Sequence, residues 1–165
     1  MSVLKHIHQI PNFPKEGITF QDLSPIFKNH FDALITECAD AISQIENIDY
    51  FVGIEARGFI LASALAERFK KGFVMIRKKG KLPPPKLEAS YSLEYGIDTI
   101  EMQKGNGSVC IIDDVLATGG TLTSACNLSA QCGYNVVDCF VVLNLISLND
   151  FGFNGIKCKS LLEMK

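Results

Sequence analysis

The stretch that most restricts what this chain can become runs from Val109 to Thr121. It opens with an apolar run, Val109-Cys110-Ile111-Ile112, and reaches two adjacent carboxylates, Asp113 and Asp114. Val115-Leu116 and then Ala117-Thr118-Gly119-Gly120-Thr121 lead into a helical pattern that begins near Leu122. A run this apolar suits a strand buried on both faces, as in a parallel sheet. A glycine-rich passage from strand to helix exposes successive backbone N–H groups at a helix N-terminus, which is a good seat for a phosphate. Gly119 and Gly120 let the backbone approach closely, and the Thr118 and Thr121 hydroxyls can add hydrogen bonds.

The carboxylates qualify that site. They repel a phosphate but accept well from hydroxyls. Asp113 and Asp114 therefore fit a ribose diol lying beside a 5'-phosphate, or else are solvated acids of an ordinary strand-to-helix turn. The common nucleotide loops do not fit: no Gly-Lys-Ser/Thr is present, and no G-x-G-x-x-G follows a strand.

The 165 residues suggest one domain, from 1 to 165, with a sizeable core. An apolar share of 47% and a charged share of 21% exclude a disordered chain. A net charge of −2 argues against a general nucleic-acid binder. There is no long apolar run for a membrane span and no apolar core of a signal peptide near the N-terminus, so the expected location is the cytoplasm. Six cysteines form no C-x-x-C pair and several lie in apolar runs, which fits free thiols better than a disulfide framework.

Residues 6–27 read as loop, punctuated by Pro11, Pro14, Gly17 and Pro25 yet carrying Phe13, Ile18, Phe20 and Phe27, so they should pack over something, such as a ligand. Asn29 could cap an amphipathic helix from Phe31 to Ile45. A strand Tyr50–Ile54, a helix Ile60–Phe69 and a strand Phe73–Ile76 give β-α-β order and a parallel sheet. Arg57 follows the first of these strand ends, where a guanidinium could clamp a diphosphate or make a surface ion pair. Arg77, Lys78, Lys79 and Lys81 form a basic cluster before Pro83-Pro84-Pro85. Lys78, Lys79 and Lys81 are either a solvated face or a group of which one or two could reach a pyrophosphate, within the chain or across a subunit interface. Residues 86–107 look like a hairpin arm hinged at Gly96, a mobile lid more than a core element. A helix Leu122–Gln131 ended by Gly133, a buried strand Val136–Leu145 and a short edge element within 151–165 complete the expectation. His6, His8 and His30 have no metal-ligand spacing.

Taken together, the apolar strand, Asp113-Asp114 and Ala117-Thr118-Gly119-Gly120-Thr121 closely resemble the phosphoribosyl pyrophosphate motif of the type I phosphoribosyltransferases. The likeness runs nearly end to end. Phe13 to Phe20 is similar to the N-terminal base-binding hood of the family's adenine-using members, Glu55 to Phe59 to its diphosphate loop, and Ile76 to Pro83 and Ala89 to Gly96 to its basic strand end and flexible catalytic loop. The resemblance implies an α/β fold with a mostly parallel central sheet flanked by helices, a hood at about 1–28 and a flexible loop or arm at about 80–107. It implies transfer of a phosphoribosyl group from phosphoribosyl pyrophosphate to adenine, in a homodimer, with Mg²⁺ held mainly by substrate. Asp113 and Asp114 would hold the ribose hydroxyls and Ala117, Thr118, Gly119, Gly120 and Thr121 the 5'-phosphate. Arg57, Lys81 and Arg77 would serve pyrophosphate, Lys81 in cis or from a partner subunit. Thr19, Phe20 and Leu145 would hold adenine, and Glu94 and Tyr95, with Arg57, would be the catalytic groups. It also implies a cis Glu55-Ala56 peptide. The chain departs from the family at Gln21, where Arg is frequent, at Asn144, where an acid is common, and at Pro84-Pro85, which extend the usual turn. Two other readings stay open: a phosphoribosyltransferase for another purine, and a non-catalytic regulator that senses the same sugar phosphate.

Overall fold

In the computed structural model, which describes residues 2–93 and 96–165, the chain is built around a seven-stranded sheet. Five strands run parallel: β3 (Tyr50–Ile54), β4 (Gly72–Lys78), β7 (Gly107–Leu116), β8 (Tyr134–Leu145) and β9 (Lys159–Met164). β5 (Lys86–Leu93) and β6 (Gly96–Gln103) join antiparallel on one side, giving the order β5-β6-β4-β3-β7-β8-β9. A separate two-stranded sheet pairs β1 (His8–Pro11) with β2 (Thr19–Asp22). The helices are α1 (Ser24–Asn29), α2 (Phe31–Ile42), α3 (Arg57–Phe69) and α4 (Gly120–Gln131).

The period of two along each strand divides the interior into two cores. Phe51, Cys110, Ile112, Phe140 and Val142 face α2 and α3. Their neighbours Val52, Val109, Ile111, Cys139 and Val141 face α4 and the inner residues of β6. This explains why β3, β7 and β8 read as unbroken apolar runs: both faces are covered.

Three sequence expectations change. Residues 6–27 are not an irregular loop but contain the β1–β2 hairpin, whose outward strand His8–Pro11 is exposed at every position and gives no alternation to read. Asn29 does not cap the next helix; it closes α1, and His30 occupies the N-cap of α2 without a side-chain hydrogen bond. The arm is not simply a lid. β6 pairs with β4 and buries Ile100, Glu101 and Met102, so its root is core and only its tip projects, with Ile97 75% exposed. α2 stops at Ile42, short of the expected Ile45, while other helices and strands extend past the apolar pattern by a few residues, as α3 does by starting at Arg57. The edge element of the last residues is β9, parallel to β8.

Candidate functional site

β3 and β7 are parallel neighbours, so the turns that follow them open at the same sheet edge, the usual place for a ligand in such sheets. Each turn delivers a helix N-terminus there. Gly58, in the first turn of α3, explains how close the two turns come: a Cβ at this position would meet the Ile112 carbonyl oxygen at 2.8 Å and Asp113 Oδ1 at 3.2 Å. Gly119 adopts φ +90°, which favours glycine, and it forms the N-cap of α4. With no side chains at Gly119 and Gly120, the first N–H groups of α4 are presented bare.

The turns border a cleft of about 890 Å³, into which Arg57, Asp113, Asp114, Ala117 and Thr121 project from one side. Thr19 and Phe20 of β2 and Leu145 at the end of β8 line the same cleft. A smaller hollow of about 90 Å³ shares Asp113, Ala117 and Thr121 with it and is also lined by Thr118 and Gly119. Residues that are far apart in the chain thus form a polar floor, an aromatic wall and a backbone cradle. The Glu55–Ala56 peptide at the floor is cis.

The electrostatics of the floor are specific. Asp114 is buried and Asp113 half-buried, and Asp113 Oδ1 accepts from the Asp114 N–H at 2.9 Å. Burial, reinforced by the neighbouring Asp114 charge, pushes the Asp113 carboxyl well above its ordinary range, so it keeps its proton to higher pH. Arg57 Nε lies 2.7 Å from Asp114 Oδ2 as an ion pair, but the N–H is not aimed for a hydrogen bond, and this buried oxygen accepts none among the described residues. The same guanidinium sits 5.0 Å from the Phe20 ring centroid. Phe20 in turn packs edge-on to Phe13 at 5.2 Å. One arginine therefore connects the acids to the aromatic wall.

Two expected pyrophosphate residues are placed elsewhere. Arg77 does not line the cleft; its Nη2 pairs with Glu55 Oε1 at 3.4 Å, and its guanidinium lies 6.0 Å from the Phe59 ring. Lys81 is exposed outside the cleft, with its backbone N–H donating to Glu101 Oε1 at 2.6 Å. Lys78, one residue beyond Arg77, is the member of the basic cluster that reaches the cleft. Gly120 sits at the mouth of the cradle without lining either cavity. Glu94 and Tyr95 lie outside the described residues.

Sequence reasoning assigned no role to Tyr91 or Asn149, and marked Gln21 only as a departure from the family pattern. Tyr91 lines the cleft beside Thr121. Gln21 is 7% exposed, lines the cleft and has an Oε1 that accepts no hydrogen bond among the described residues. Asn149 braces the cradle: its Nδ2 lies 2.9 Å from the Ala117 carbonyl, 3.1 Å from Asn144 Oδ1 and 3.0 Å from the Leu145 carbonyl. Asn144 is thus buried as a support of the turn, not as a group of the cleft. The departure from the family's arginine was the available signal for Gln21, whereas Asn149 looks like any turn residue.

The phosphoribosyl transferase domain profile matches residues 24–149, a span that includes the cradle, the two acids and Arg57. An adenine phosphoribosyltransferase of Hydrogenovibrio crunogenus is 46% identical over 162 residues, covering 96% of this chain and 94% of its own. One of Bdellovibrio bacteriovorus is 47% identical and covers 99% of both chains. Among solved structures, the adenine phosphoribosyltransferase of Thermoanaerobacter pseudethanolicus superposes with a TM-score of 0.87 at 35% identity, over 97% of this chain and 96% of that one. The enzyme of Saccharomyces cerevisiae, solved with adenine and an imino-altritol bisphosphate, gives 0.84 at 38% identity over 96% of each chain. The chain belongs to the phosphoribosyl transferase family, in its adenine phosphoribosyltransferase branch.

Proposed function

We propose that this protein transfers the 5-phosphoribosyl group of phosphoribosyl pyrophosphate to N9 of adenine, forming AMP and pyrophosphate in purine salvage. The observation that carries the reading is the meeting, at one sheet edge, of a bare-backbone cradle, two adjacent acids and an aromatic wall. The relatives named above are adenine phosphoribosyltransferases that the chain matches over nearly their whole length, and the yeast enzyme was solved with adenine and an imino-altritol bisphosphate.

In this reading the C1–O bond of the activated sugar breaks and its electron pair leaves on pyrophosphate. The N9 lone pair forms the new bond to C1, and the N9 proton is lost. Ala117, Thr118, Gly119, Gly120 and Thr121 hold the 5'-phosphate, and Asp113 and Asp114 take the ribose hydroxyls. Asp114 Oδ2 suits this role, being buried and open to a donor. Phe20 and Leu145 enclose the adenine ring, and the Thr19 backbone reads its edge. Arg57 neutralises charge on the leaving group, joined by Lys81 and Arg77 when ligand or a partner subunit brings them near. Glu94 and Tyr95 close over the reacting centre and exclude water.

Mg²⁺ is the expected cofactor. Asp113 and Asp114 at the cleft floor offer hard oxygen donors. That donor set fits an ion carried mainly by substrate phosphates, and when bound Mg²⁺ supplies positive charge against the departing pyrophosphate. A homodimer is part of the reading, with large exposed apolar side chains at Ile60 on α3 and Met75 on β4 available to a second copy. The proposed organisation is one domain over 1–165, with a hood at about 1–28 and a catalytic arm at about 80–107. Its proposed setting is the cytoplasm, without nucleic-acid partners; among the described residues no helix is long and apolar enough to cross a membrane.

An absorbance assay of nucleotide formation with adenine, hypoxanthine, guanine and xanthine, each with the activated sugar and Mg²⁺, tests the reaction and its base. AMP should form from adenine at a rate far above the other purines. Asp114→Asn should lower kcat/KM for the activated sugar by about tenfold to a hundredfold, the worth of a hydrogen bond to a charged group. Full activity in that variant would remove the acids from the site.

A further inference from the structure

Tyr91 belongs to neither element that builds the cradle, yet it roofs it. It lies on β5 directly opposite Asp98 of β6. Its Cδ2 comes within 3.9 Å of where a Cβ on Gly120 would stand, and its side chain lines the cleft. Thr121 Oγ1 donates to the phenolic oxygen at 3.3 Å, and the phenol donates to Asp98 Oδ2 at 3.3 Å. Both contacts are longer than the roughly 2.7–2.8 Å usual for a hydroxyl donor, so little is lost on breaking them.

Each hydroxyl has one proton to give. As the site stands, the Thr121 proton is directed to Tyr91 and the Tyr91 proton to Asp98. A phosphate oxygen arriving at Thr121 competes for both. Asp98 can release the phenol without being left unpaired, because Lys78 Nζ forms an ion pair with the same Oδ2 and the Thr99 N–H donates to Oδ1 at 2.9 Å. Among the described residues the phenol meets no second carboxylate, so a doubly charged phosphate beside it is the better partner.

We propose that Tyr91 is a phosphate-binding residue of this site. When a sugar 5'-phosphate enters the cradle, the Thr121 and Tyr91 hydroxyls both turn their protons onto it. The β5–β6 arm is then tied to the β7–α4 turn through the ligand in place of the direct Thr121–Tyr91 contact. The inference rests on the reading above that the cradle takes a sugar 5'-phosphate.

Calorimetry with ribose 5-phosphate and, separately, adenine tests this on the full chain and on Tyr91→Phe and Asp98→Asn. Tyr91→Phe keeps the ring over Gly120 and should bind ribose 5-phosphate about tenfold more weakly, with adenine affinity unchanged, while Asp98→Asn stays within about twofold for both ligands. Undiminished ribose 5-phosphate binding by Tyr91→Phe would overturn the proposal. So would equal losses for both ligands in both variants, since the hydroxyl chain would then only pin the arm. If the unmodified protein binds ribose 5-phosphate but makes no AMP, the transfer reaction fails and the Tyr91 result still stands. If it binds no ribose 5-phosphate at all, the cradle and the role of Tyr91 fall together.

Discussion

Two hairpins flank the cleft, and they are built on opposite terms. The β1–β2 hairpin is a sheet of its own, with one strand wholly exposed, and its Phe20 side chain meets the rest of the site through Arg57. The β5–β6 hairpin is welded into the central sheet, and β6 buries Ile100, Glu101 and Met102. The first can be altered at little structural cost and the second cannot, although both present side chains to the same ligand space. A lid can therefore be a cover laid on the fold or an extension of its core, and only the second ties ligand closure to stability.

Glu101 shows the difference most sharply. Its carboxylate is fully buried and accepts from the N–H groups of Gly80, Lys81 and Leu82, and Lys86 pairs with it. Burial by itself would raise its pKa. The Lys86 and backbone donors outweigh that and hold the carboxyl at about 2. Replacing Glu101 by Ala strands those donors and should cost about 3–5 kcal/mol in urea unfolding, the typical penalty for breaking a buried ion pair. Because the folded value lies below the unfolded one, near 4.5, the contribution is complete above pH 4.5 and disappears as pH falls toward 2. Glu101→Gln should flatten the fall in stability over that window; an unchanged acid limb would show that Glu101 does not hold the arm's root.

Next in size, Met102→Ala in the root of the arm should cost about 2–5 kcal/mol through the cavity it leaves. The matching change in the other hairpin, Ile10→Ala at a 39% exposed position, should stay within about 0.5 kcal/mol. Equal losses for the two would erase the contrast between the hairpins. Phe20→Ala sharpens it from the functional side. Adenine KM should rise about tenfold or more for a lost aromatic stack, with the KM of the activated sugar unchanged and stability little altered. The smallest effect is expected at the arm's tip, where Ile97→Ser at 75% exposure should leave the urea midpoint within about 0.5 kcal/mol of the original.

Much of the frame could be read directly from residue order. Tyr50–Ile54 is a strand at the limits its apolar run suggests, and the Ala117–Thr121 turn leads from strand to helix as its glycines require. Both rest on local rules: a short continuous apolar run for a strand covered on both faces, and the freedom of Gly119 to adopt φ +90°. The β1–β2 hairpin was hidden because an exposed strand carries no alternation. The arm's root was misjudged because Ile100 and Met102 are consistent with a surface hairpin until β4 is known to lie beside them.

The residue order by itself determined the central strands, the cradle and the paired acids, since each depends on neighbours within a few positions. Only the tertiary structure decided that Arg57 would face both Asp114 and Phe20, that Lys78 and not Lys81 would reach the cleft, and that Tyr91 would stand over Gly120. Those meetings depend on the order in which the strands are laid side by side. Many strand orders satisfy the same local preferences, and the burial of both sheet faces selects among them.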